Sequence, residues 1–271
     1  MRGADRIVRL LFPPDETAAY VTGIVKTRDG TVYHIDTRSF LEWSLWVYGG
    51  YELDLQATMR QWLRPGDVAI DVGANVGIHA CALARVVGPH GRVIALEPVS
   101  TLAGRLRANC VLNDLRNVEV VEKAASSRTG TEVFFSAAPS EANQGQGSLY
   151  ERTELVQVPQ EVELETVDSI IEARGIARLR LVKIDVEGHE LAVLRGMENA
   201  LRCWRPYVVF EFNPVAYHAA NLAWDEACDA LKEIGGYKLH RHGAGGALEP
   251  LPRLAPDAPL MIAALPTQRG G

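Results

Sequence analysis

The sequence predicts an α/β fold around a doubly wound, mostly parallel sheet of about seven strands. From residue 68 onward, short runs rich in Val and Ile alternate with longer amphipathic runs, which is the pattern of repeated β-α units. Glycines or carboxylates follow several of the short runs, as is typical of the edge of a parallel sheet where ligands bind. With 271 residues, 47% of them hydrophobic, the chain can bury a sizeable core.

The predicted elements follow one another in a regular order. Strands are predicted at residues 68–72, 92–96, 118–122, 179–184, 207–212, 237–241 and 260–265, with a hairpin arm at 131–136. Helices are predicted at 78–87, 101–112, 167–174, 190–201 and 224–234. The pairs Gly88-Pro89 and Gly235-Gly236 end the first and the last of these helices. Residues 137–160 are polar and without periodicity, and they predict a long loop that is functional or disordered.

The first 60 residues do not show the β-α alternation that begins at residue 68. A small strand pair and a helix are expected there, packing over one end of the sheet. The aromatic residues Trp43, Trp46, Tyr48 and Tyr51 cluster around a Gly49-Gly50 break. Such clusters usually belong to the core, although they can also line the entrance to a ligand site. We therefore expect a cap segment at residues 1–60 and one domain at residues 61–271.

Composition argues against several classes of partner. The formal net charge is −6, so no basic field would attract nucleic acid. The chain has no run of 18 apolar residues that could span a membrane, and residues 7–12 are too short an apolar run for a signal peptide. None of the four cysteines forms a CxxC pair, and they are interpreted as buried, reduced thiols of a cytoplasmic protein.

The stretch VAIDVGANVGIH, residues 68–79, joins a predicted strand to a glycine-rich turn. The spacing Gly73-x-x-x-Gly77 lacks the three glycines of a dinucleotide site and the Gly-Lys-Ser/Thr of a P-loop. A carboxylate at Asp71 would repel a pyrophosphate and attract a cation. Glu97 ends the second strand, where an acidic side chain can accept hydrogen bonds from ribose hydroxyls. S-adenosylmethionine is therefore the predicted cofactor, because it carries an ammonium, a sulfonium and a ribose but no phosphate.

A second polar cluster follows the fourth strand in LVKIDVEGHELAVL, residues 181–194. Its titratable residues are Lys183, Asp185, Glu187, His189 and Glu190, and Glu211 ends the next strand. Clusters of this kind occur at functional sites, because desolvating them is costly. We expect His189 to remove a proton from a substrate hydroxyl while Asp185 and Glu187 orient the hydroxyl or the imidazole. Glu190 is explained equally well as a carboxylate that stabilises a helix start.

A metal site is a minority alternative for the same cluster. The carboxylates of Asp185, Glu187 and Glu211 could together hold a divalent cation, which prefers oxygen ligands. A bound metal would acidify the substrate hydroxyl. The sequence favours catalysis without a metal.

Five sequence runs taken together resemble the FkbM-like family of S-adenosylmethionine-dependent methyltransferases. They are RPGDVAIDVGANVGIHA, VIALEPVS, VEVVEKAAS, LVKIDVEGHELAVLRGM and VVFEFNP, in that order. The similarity extends upstream to YHIDTRSF and GGYE, so that it covers residues 31–215. The resemblance implies a Rossmann-like class I methyltransferase fold with an antiparallel last strand. It also implies O-methylation of a hydroxyl on a sugar or small natural product, in natural product biosynthesis.

The resemblance also assigns roles to individual residues. The methionine-binding turn would consist of Asp71, Gly73, Ala74, Asn75 and Gly77, with Asp185 contributing from the facing strand end. Glu97 would hold the ribose, and Tyr51 and Glu52 would close over the cofactor. Lys123 and Ala124 lie where relatives place an adenine-contacting segment, although Lys stands there in place of an acid. Asp185, Glu187 and Gly188 match the family's DxEG turn.

Two other classes of function remain open at the level of sequence. One is a non-catalytic cofactor-binding or carrier-interacting module with the same fold, which the intact DVEGHE run disfavours. The other is a NAD-linked oxidoreductase, which Asp71 and the missing glycine disfavour. The acceptor is not specified, although Asn143, Gln144 and Gln146 could hydrogen-bond a polyol. Nor does the sequence choose between a monomer and a homodimer.

Overall fold

The computed structural model describes residues 20–137, 147–151, 156–252 and 255–267. Its strands are β1 (Thr22–Lys26), β2 (Val32–Asp36), β3 (Val68–Val72), β4 (Arg92–Leu96), β5 (Val118–Val121), β6 (Ala124–Ala125), β7 (Gly130–Ala137), β8 (Gln157–Glu165), β9 (Leu181–Ile184), β10 (Tyr207–Phe212), β11 (Tyr237–His242), β12 (Leu248–Glu249) and β13 (Leu260–Pro266). Its helices are α1 (Phe40–Tyr48), α2 (Leu53–Trp62), α3 (Ile78–Val87), α4 (Ser100–Leu112), α5 (Val167–Ala173), α6 (Glu190–Arg195), α7 (Glu198–Cys203), α8 (Pro214–Ala219) and α9 (Glu226–Gly235).

The main sheet has the strand order β12-β11-β13-β10-β9-β3-β4-β5. Strands β3, β4, β5, β9 and β10 pair in parallel, whereas β13 is antiparallel to both β10 and β11. The predicted fold class, a mostly parallel sheet with an antiparallel last strand, is confirmed. The two-residue strand β12 adds an eighth strand at the edge. Strands β4 and β5 lie on one side of β3, whereas β9 and β10 lie on the other, which places a switch point of strand order between β3 and β9.

Both faces of the main sheet are buried by apolar packing. On β3, Ile70 and Val72 belong to one apolar cluster and Ala69 to the other. The same alternation occurs on β9, where Val182 and Leu181 face opposite sides. Burial on both faces explains why these strands are nearly continuous apolar runs in the sequence.

A hairpin of β7 and β8 stands beside the main sheet, and β6 pairs in parallel with β8. The prediction of a loop over residues 137–160 was wrong at its end, because residues 157–160 belong to β8. Residues 157–161 of this strand are exposed or half-buried, and only Val162 and Leu164 are buried, so its hydrophobic pattern is weak. Ser148 also pairs with Phe135 of β7. The three residues suggested for polyol binding lie outside the described residues; they are Asn143, Gln144 and Gln146.

The N-terminal segment contains the predicted strand pair, β1 and β2, followed by two helices rather than one. The Tyr33 hydroxyl donates a hydrogen bond to the Ile78 carbonyl oxygen at 3.2 Å, which fastens the strand pair to α3. The aromatic cluster divides, since Trp43 is 2% exposed and Trp46 is 38% exposed. Helix α2 packs against α3, and the boundary at residue 60 remains a proposal.

Three of the four cysteines are buried, as expected, but Cys203 is exposed at the end of α7. None of the helices in the described ranges is both long and apolar enough to cross a bilayer.

Candidate functional site

A cavity of about 530 Å³ lies at the carboxyl ends of β3, β4, β9 and β10. The glycine turn after β3 and the residues that follow β4 and β5 form one side of it. The ends of β9 and β10 form another side, and the β7–β8 hairpin forms a third. The strand ends that the sequence singled out therefore meet at one cavity.

The turn after β3 depends on glycine. Gly73 and Gly77 have φ angles of 76° and 89°, and Asn75 has 52°. A Cβ atom on Gly73 would lie 1.9 Å from the Asp185 carbonyl oxygen, and one on Gly77 would lie 2.7 Å from Leu106 Cγ. Only glycine allows such a positive φ together with this close approach of two strand ends.

The backbone N–H groups of this turn are already occupied. Gly73 N and Ala74 N both donate to the Leu96 carbonyl oxygen, at 3.0 and 2.9 Å. Asn75 N donates to Glu97 Oε2 at 2.8 Å, and Val76 N donates to Asn75 Oδ1 at 2.7 Å. Gly77 N donates to the Ala74 carbonyl oxygen. The turn therefore offers no row of unpaired N–H donors to a phosphate, unlike a dinucleotide loop.

Glu97 joins the ends of β3 and β4. It is 5% exposed and lines the cavity. Its two oxygens accept hydrogen bonds from Asn75 N at 2.8 Å and from Val99 N at 2.9 Å. Burial raises the pKa of Glu97 to about 7, although these two donors lower it. The carboxylate is fixed in one orientation, with lone pairs left for further donors.

Asp71 and Lys183 form a buried ion pair beneath the cavity. The two residues are register partners on β3 and β9, and Lys183 Nζ lies 3.8 Å from Asp71 Oδ1 and 3.0 Å from Asp185 Oδ2. Burial lowers the pKa of Lys183, but Asp185 and Asp71 raise it above the usual value of a lysine. Asp71 is fully buried and is not among the lining residues, whereas Lys183 and Asp185 line the cavity. The charge of Asp71 thus acts on the cavity through Lys183.

The DxEG turn after β9 is held from both sides. Glu187 has a φ of 51°, and its Oε2 accepts a hydrogen bond from Asn213 Nδ2 at 2.9 Å. A Cβ atom on Gly188 would lie 2.6 Å from the Ala216 carbonyl oxygen. Glu190 is 1% exposed and accepts from the backbone N–H groups of this turn. These bonds give Glu190 the structural role that the sequence left as its alternative.

His189 lines the cavity, but its ring is engaged by two hydroxyl groups. Nε2 lies 3.0 Å from Ser126 Oγ, and Nδ1 lies 3.2 Å from Tyr150 Oη. Burial and the nearby Arg128 lower its pKa to about 4. His189 is therefore neutral at neutral pH, with a protein partner at each nitrogen.

Glu211 lines the cavity together with Asp185 and Glu187. Burial, followed by the charges of these two carboxylates, raises its pKa to about 10. Within the described ranges, no group of three His, Cys, Asp or Glu residues is arranged to hold a metal ion.

Tyr51 and Glu52 of the cap segment meet His79 of α3 beside the cavity. Tyr51 and His79 line the cavity, with their rings 6.2 Å apart and edge to face. Glu52 lies behind them and contacts His79 Nε2 through Oε2 at 2.9 Å. His79 was missed from the sequence because it follows the glycine turn inside an apolar helix without forming a motif.

The opposite end of the cavity is mainly apolar. Val99, Leu102, Phe134 and Leu149 line it, close to Ala124. Lys123 also lines the cavity, but its Nζ pairs with Glu163 at 3.1 Å and with Glu165 at 3.4 Å on β8. Its charge is therefore largely satisfied by the hairpin.

Comparison with known proteins agrees with this geometry. A family model described as the methyltransferase FkbM domain matches residues 71–239. The hexuronic acid methyltransferase AglP of Haloferax volcanii is 30% identical over 154 residues, which cover 56% of this chain and 58% of that protein. The 31-O-demethyl-FK506 methyltransferase FkbM of Streptomyces tacrolimicus is 34% identical over 163 residues, which cover 51% of this chain and 62% of that protein. The chain thus spans about three fifths of the length of these relatives.

A solved structure from Clostridium thermocellum, a candidate rRNA methylase, shares the fold. Its TM-score is 0.51 at 9% identity, and the match covers 82% of this chain and 98% of that one. At this identity the likeness concerns the fold alone, and with the strand order it confirms the Rossmann-like methyltransferase architecture. The family model spans the glycine turn, Glu97, the DxEG turn and Glu211. The chain therefore belongs to the methyltransferase FkbM domain family.

Proposed function

We propose that this chain transfers a methyl group from S-adenosylmethionine to a hydroxyl group of a sugar or another small natural product. The observation that carries the proposal is one cavity that joins Glu97, at the end of β4, to the carboxylates that end β9 and β10. Family membership supports methyl transfer, and the name of the Streptomyces relative points to a substrate oxygen. The relatives' substrates, a hexuronic acid and 31-O-demethyl-FK506 by name, support a hydroxylated small molecule as acceptor.

The residues around the cavity fit S-adenosylmethionine better than a dinucleotide. The N–H groups of Gly73 and Ala74 are bonded to Leu96, so a pyrophosphate would find few donors. Glu97 offers lone pairs to ribose hydroxyls, and the apolar end of the cavity suits a flat base. Lys183 and Asp185 offer one cation and one carboxylate to the amino-acid part of the cofactor.

S-adenosylmethionine, when bound, supplies a methyl group on a positively charged sulfur. The protein contributes by aligning the acceptor hydroxyl and by accepting its proton. We assign Glu187 and Glu211 to acceptor binding and Asp185 to both ligands, because all three line the cavity at the ends of β9 and β10. His189 is part of the same wall, and Ser126 and Tyr150 occupy its two nitrogens.

Calorimetry with S-adenosylmethionine, S-adenosylhomocysteine and NAD tests the cofactor. We expect both methionine-derived ligands to bind and NAD not to bind, and the reverse result would overturn the proposal. Mass spectrometry of a panel of neutral sugars, hexuronic acids and hydroxylated natural products then tests methyl transfer. Cofactor binding without any methylated product would favour the non-catalytic module. Loss of activity in excess EDTA would favour a metal at Asp185, Glu187 and Glu211.

A further inference from the structure

Glu52 and His79 form a pair at the wall of the cavity, joined by a contact of 2.9 Å between Oε2 and Nε2. His79 is 5% exposed and lines the cavity as the second residue of α3. Glu52 immediately precedes α2, with a φ of 47° that residues other than glycine rarely adopt. Two successive helices thus bring a carboxylate to an imidazole at the edge of the proposed site.

The pair determines which nitrogen of His79 carries the proton. An ionised carboxylate only accepts hydrogen bonds, so Nε2 must be the donor to Glu52. In the neutral imidazole this leaves Nδ1 without a proton, so that it can accept a proton or a hydrogen bond. This atom is buried and has no hydrogen-bond partner among the described residues. A buried polar atom without a partner costs roughly 1–3 kcal/mol, so the vacant Nδ1 indicates a ligand that donates to it.

The pair lies near the carboxylates assigned to acceptor binding. Glu52 contributes to the raised pKa values of Lys183 and Glu211, which places its charge close to the ends of β9 and β10. Burial and nearby carboxylates, Glu52 and Asp185 foremost, raise the pKa of Tyr51, whose ring adjoins His79. His79 therefore lies at the acceptor end rather than at the apolar end.

His79 differs from His189 in having a nitrogen to spare. Both nitrogens of His189 face protein hydroxyls, whereas Nδ1 of His79 has no partner in the part of the chain that the structure describes. A base needs a lone pair that is not already bonded to the protein. The hydrogen bonding thus favours His79 for this task.

We infer that His79 is the general base of the proposed methyl transfer and that Glu52 is the residue that positions it. The inference rests on the proposed function. The acceptor hydroxyl gives its proton to Nδ1 while its oxygen forms the new bond to the methyl carbon. The carbon–sulfur bond breaks, and its electron pair remains on sulfur. The Glu52 carboxylate stabilises the imidazolium that results.

The test compares His79→Gln and Glu52→Gln with the exposed control His90→Gln, which lies outside the cavity. We expect His79→Gln to lower kcat by roughly 10²- to 10⁴-fold, while the Kd for S-adenosylhomocysteine stays near that of wild type. Imidazole should partly restore the turnover of His79→Ala. Glu52→Gln should lower kcat more than it raises KM. The inference is overturned if His79→Gln loses cofactor affinity but keeps kcat, or if only His189→Gln abolishes turnover.

A second measurement does not depend on turnover. In ¹⁵N-NMR spectra of the ligand-free protein, with His79 assigned by its absence in His79→Gln, we expect a proton on Nε2 and none on Nδ1. Glu52→Gln should weaken this preference. A proton on Nδ1 would overturn the inference even if an acceptor had yet to be found. A wild-type protein that binds no S-adenosylmethionine would instead refute the proposed function.

Discussion

Gly73 and Asp185 meet so closely that a Cβ atom on Gly73 would lie 1.9 Å from the Asp185 carbonyl oxygen. The contact joins the end of β3 to the end of β9, since the Asp185 N–H also donates to the Val72 carbonyl oxygen at 3.0 Å. Gly73→Ala would have to separate these strand ends while holding alanine at a φ of 76°. We expect a loss of about 3 kcal/mol or more in the free energy of unfolding.

Urea denaturation of Gly73→Ala and Gly104→Ala measures this effect against a matched control. Gly104 is exposed in α4, and nothing lies within 4 Å of the Cβ it would gain. Alanine there should stabilise the protein by about 0.5–1 kcal/mol, because glycine weakens a helix. Equal stabilities for the two variants would contradict the close contact.

Lys183 is predicted to be essential for stability because it neutralises Asp71. Lys183→Met leaves the fully buried Asp71 carboxylate without a counter-charge, which should cost about 3–5 kcal/mol. Asp71→Asn in the same chain should recover part of this loss, since it removes the uncompensated charge. Thermal unfolding of both single variants and of the double variant measures the coupling. Simple additivity of the two effects would show that the ion pair does not act as a unit.

Glu97 is predicted to control cofactor affinity. Glu97→Gln keeps one acceptor oxygen, so it cannot accept from both Asn75 N and Val99 N and also bind ribose hydroxyls. Loss of a hydrogen bond to a charged group should weaken S-adenosylhomocysteine binding by about 10-fold or more in calorimetry. Glu119→Gln is the control, because Glu119 pairs with Arg92 and Arg174 outside the cavity. Equal affinities for the two variants would remove Glu97 from the binding site.

The strands of the main sheet could be predicted from the sequence because the pattern that marks each strand is local. Strands buried on both faces must be apolar throughout, and glycines must follow where strand ends approach each other, as Gly73 does. Strand β8 was missed because only two of its nine residues are buried. An exposed strand needs few apolar residues and so lacks a clear alternation.

The sequence predicted those residues of the site that lie at the end of an individual strand, but not the contacts between elements. The carboxylates after β9 and β10 and Glu97 after β4 line the cavity, as their positions in the chain indicate. The pairing of Asp71 with Lys183 depends on the register between β3 and β9, which no local pattern records. The contact of Glu52 with His79 depends on how α2 packs against α3. These two pairs therefore required the tertiary structure.

The stability of the ligand-free protein should fall as the pH rises above neutrality. Burial raises the pKa of Glu190 to about 8 in the folded chain, although backbone donors lower it, against 4.5 for an unperturbed glutamate. Folding therefore favours the protonated form of Glu190. The stability that this form gives the folded protein is lost as the pH rises from 4.5 to about 8. His189 has a folded pKa of about 4, so its contribution to stability increases with pH, but only below about pH 6.5.

The free energies of unfolding of wild type and Glu190→Gln are therefore best compared at pH 6.5 and at pH 9. Gln carries no charge at either pH, and its carbonyl oxygen can still accept from Val186 N or Gly188 N. At 1.36 kcal/mol per pKa unit, wild type should lose about 2 kcal/mol more free energy of unfolding over this interval than the variant. Urea titrations at the two pH values measure the difference. If wild type and variant lose the same amount, Glu190 is already ionised in the folded protein at pH 6.5.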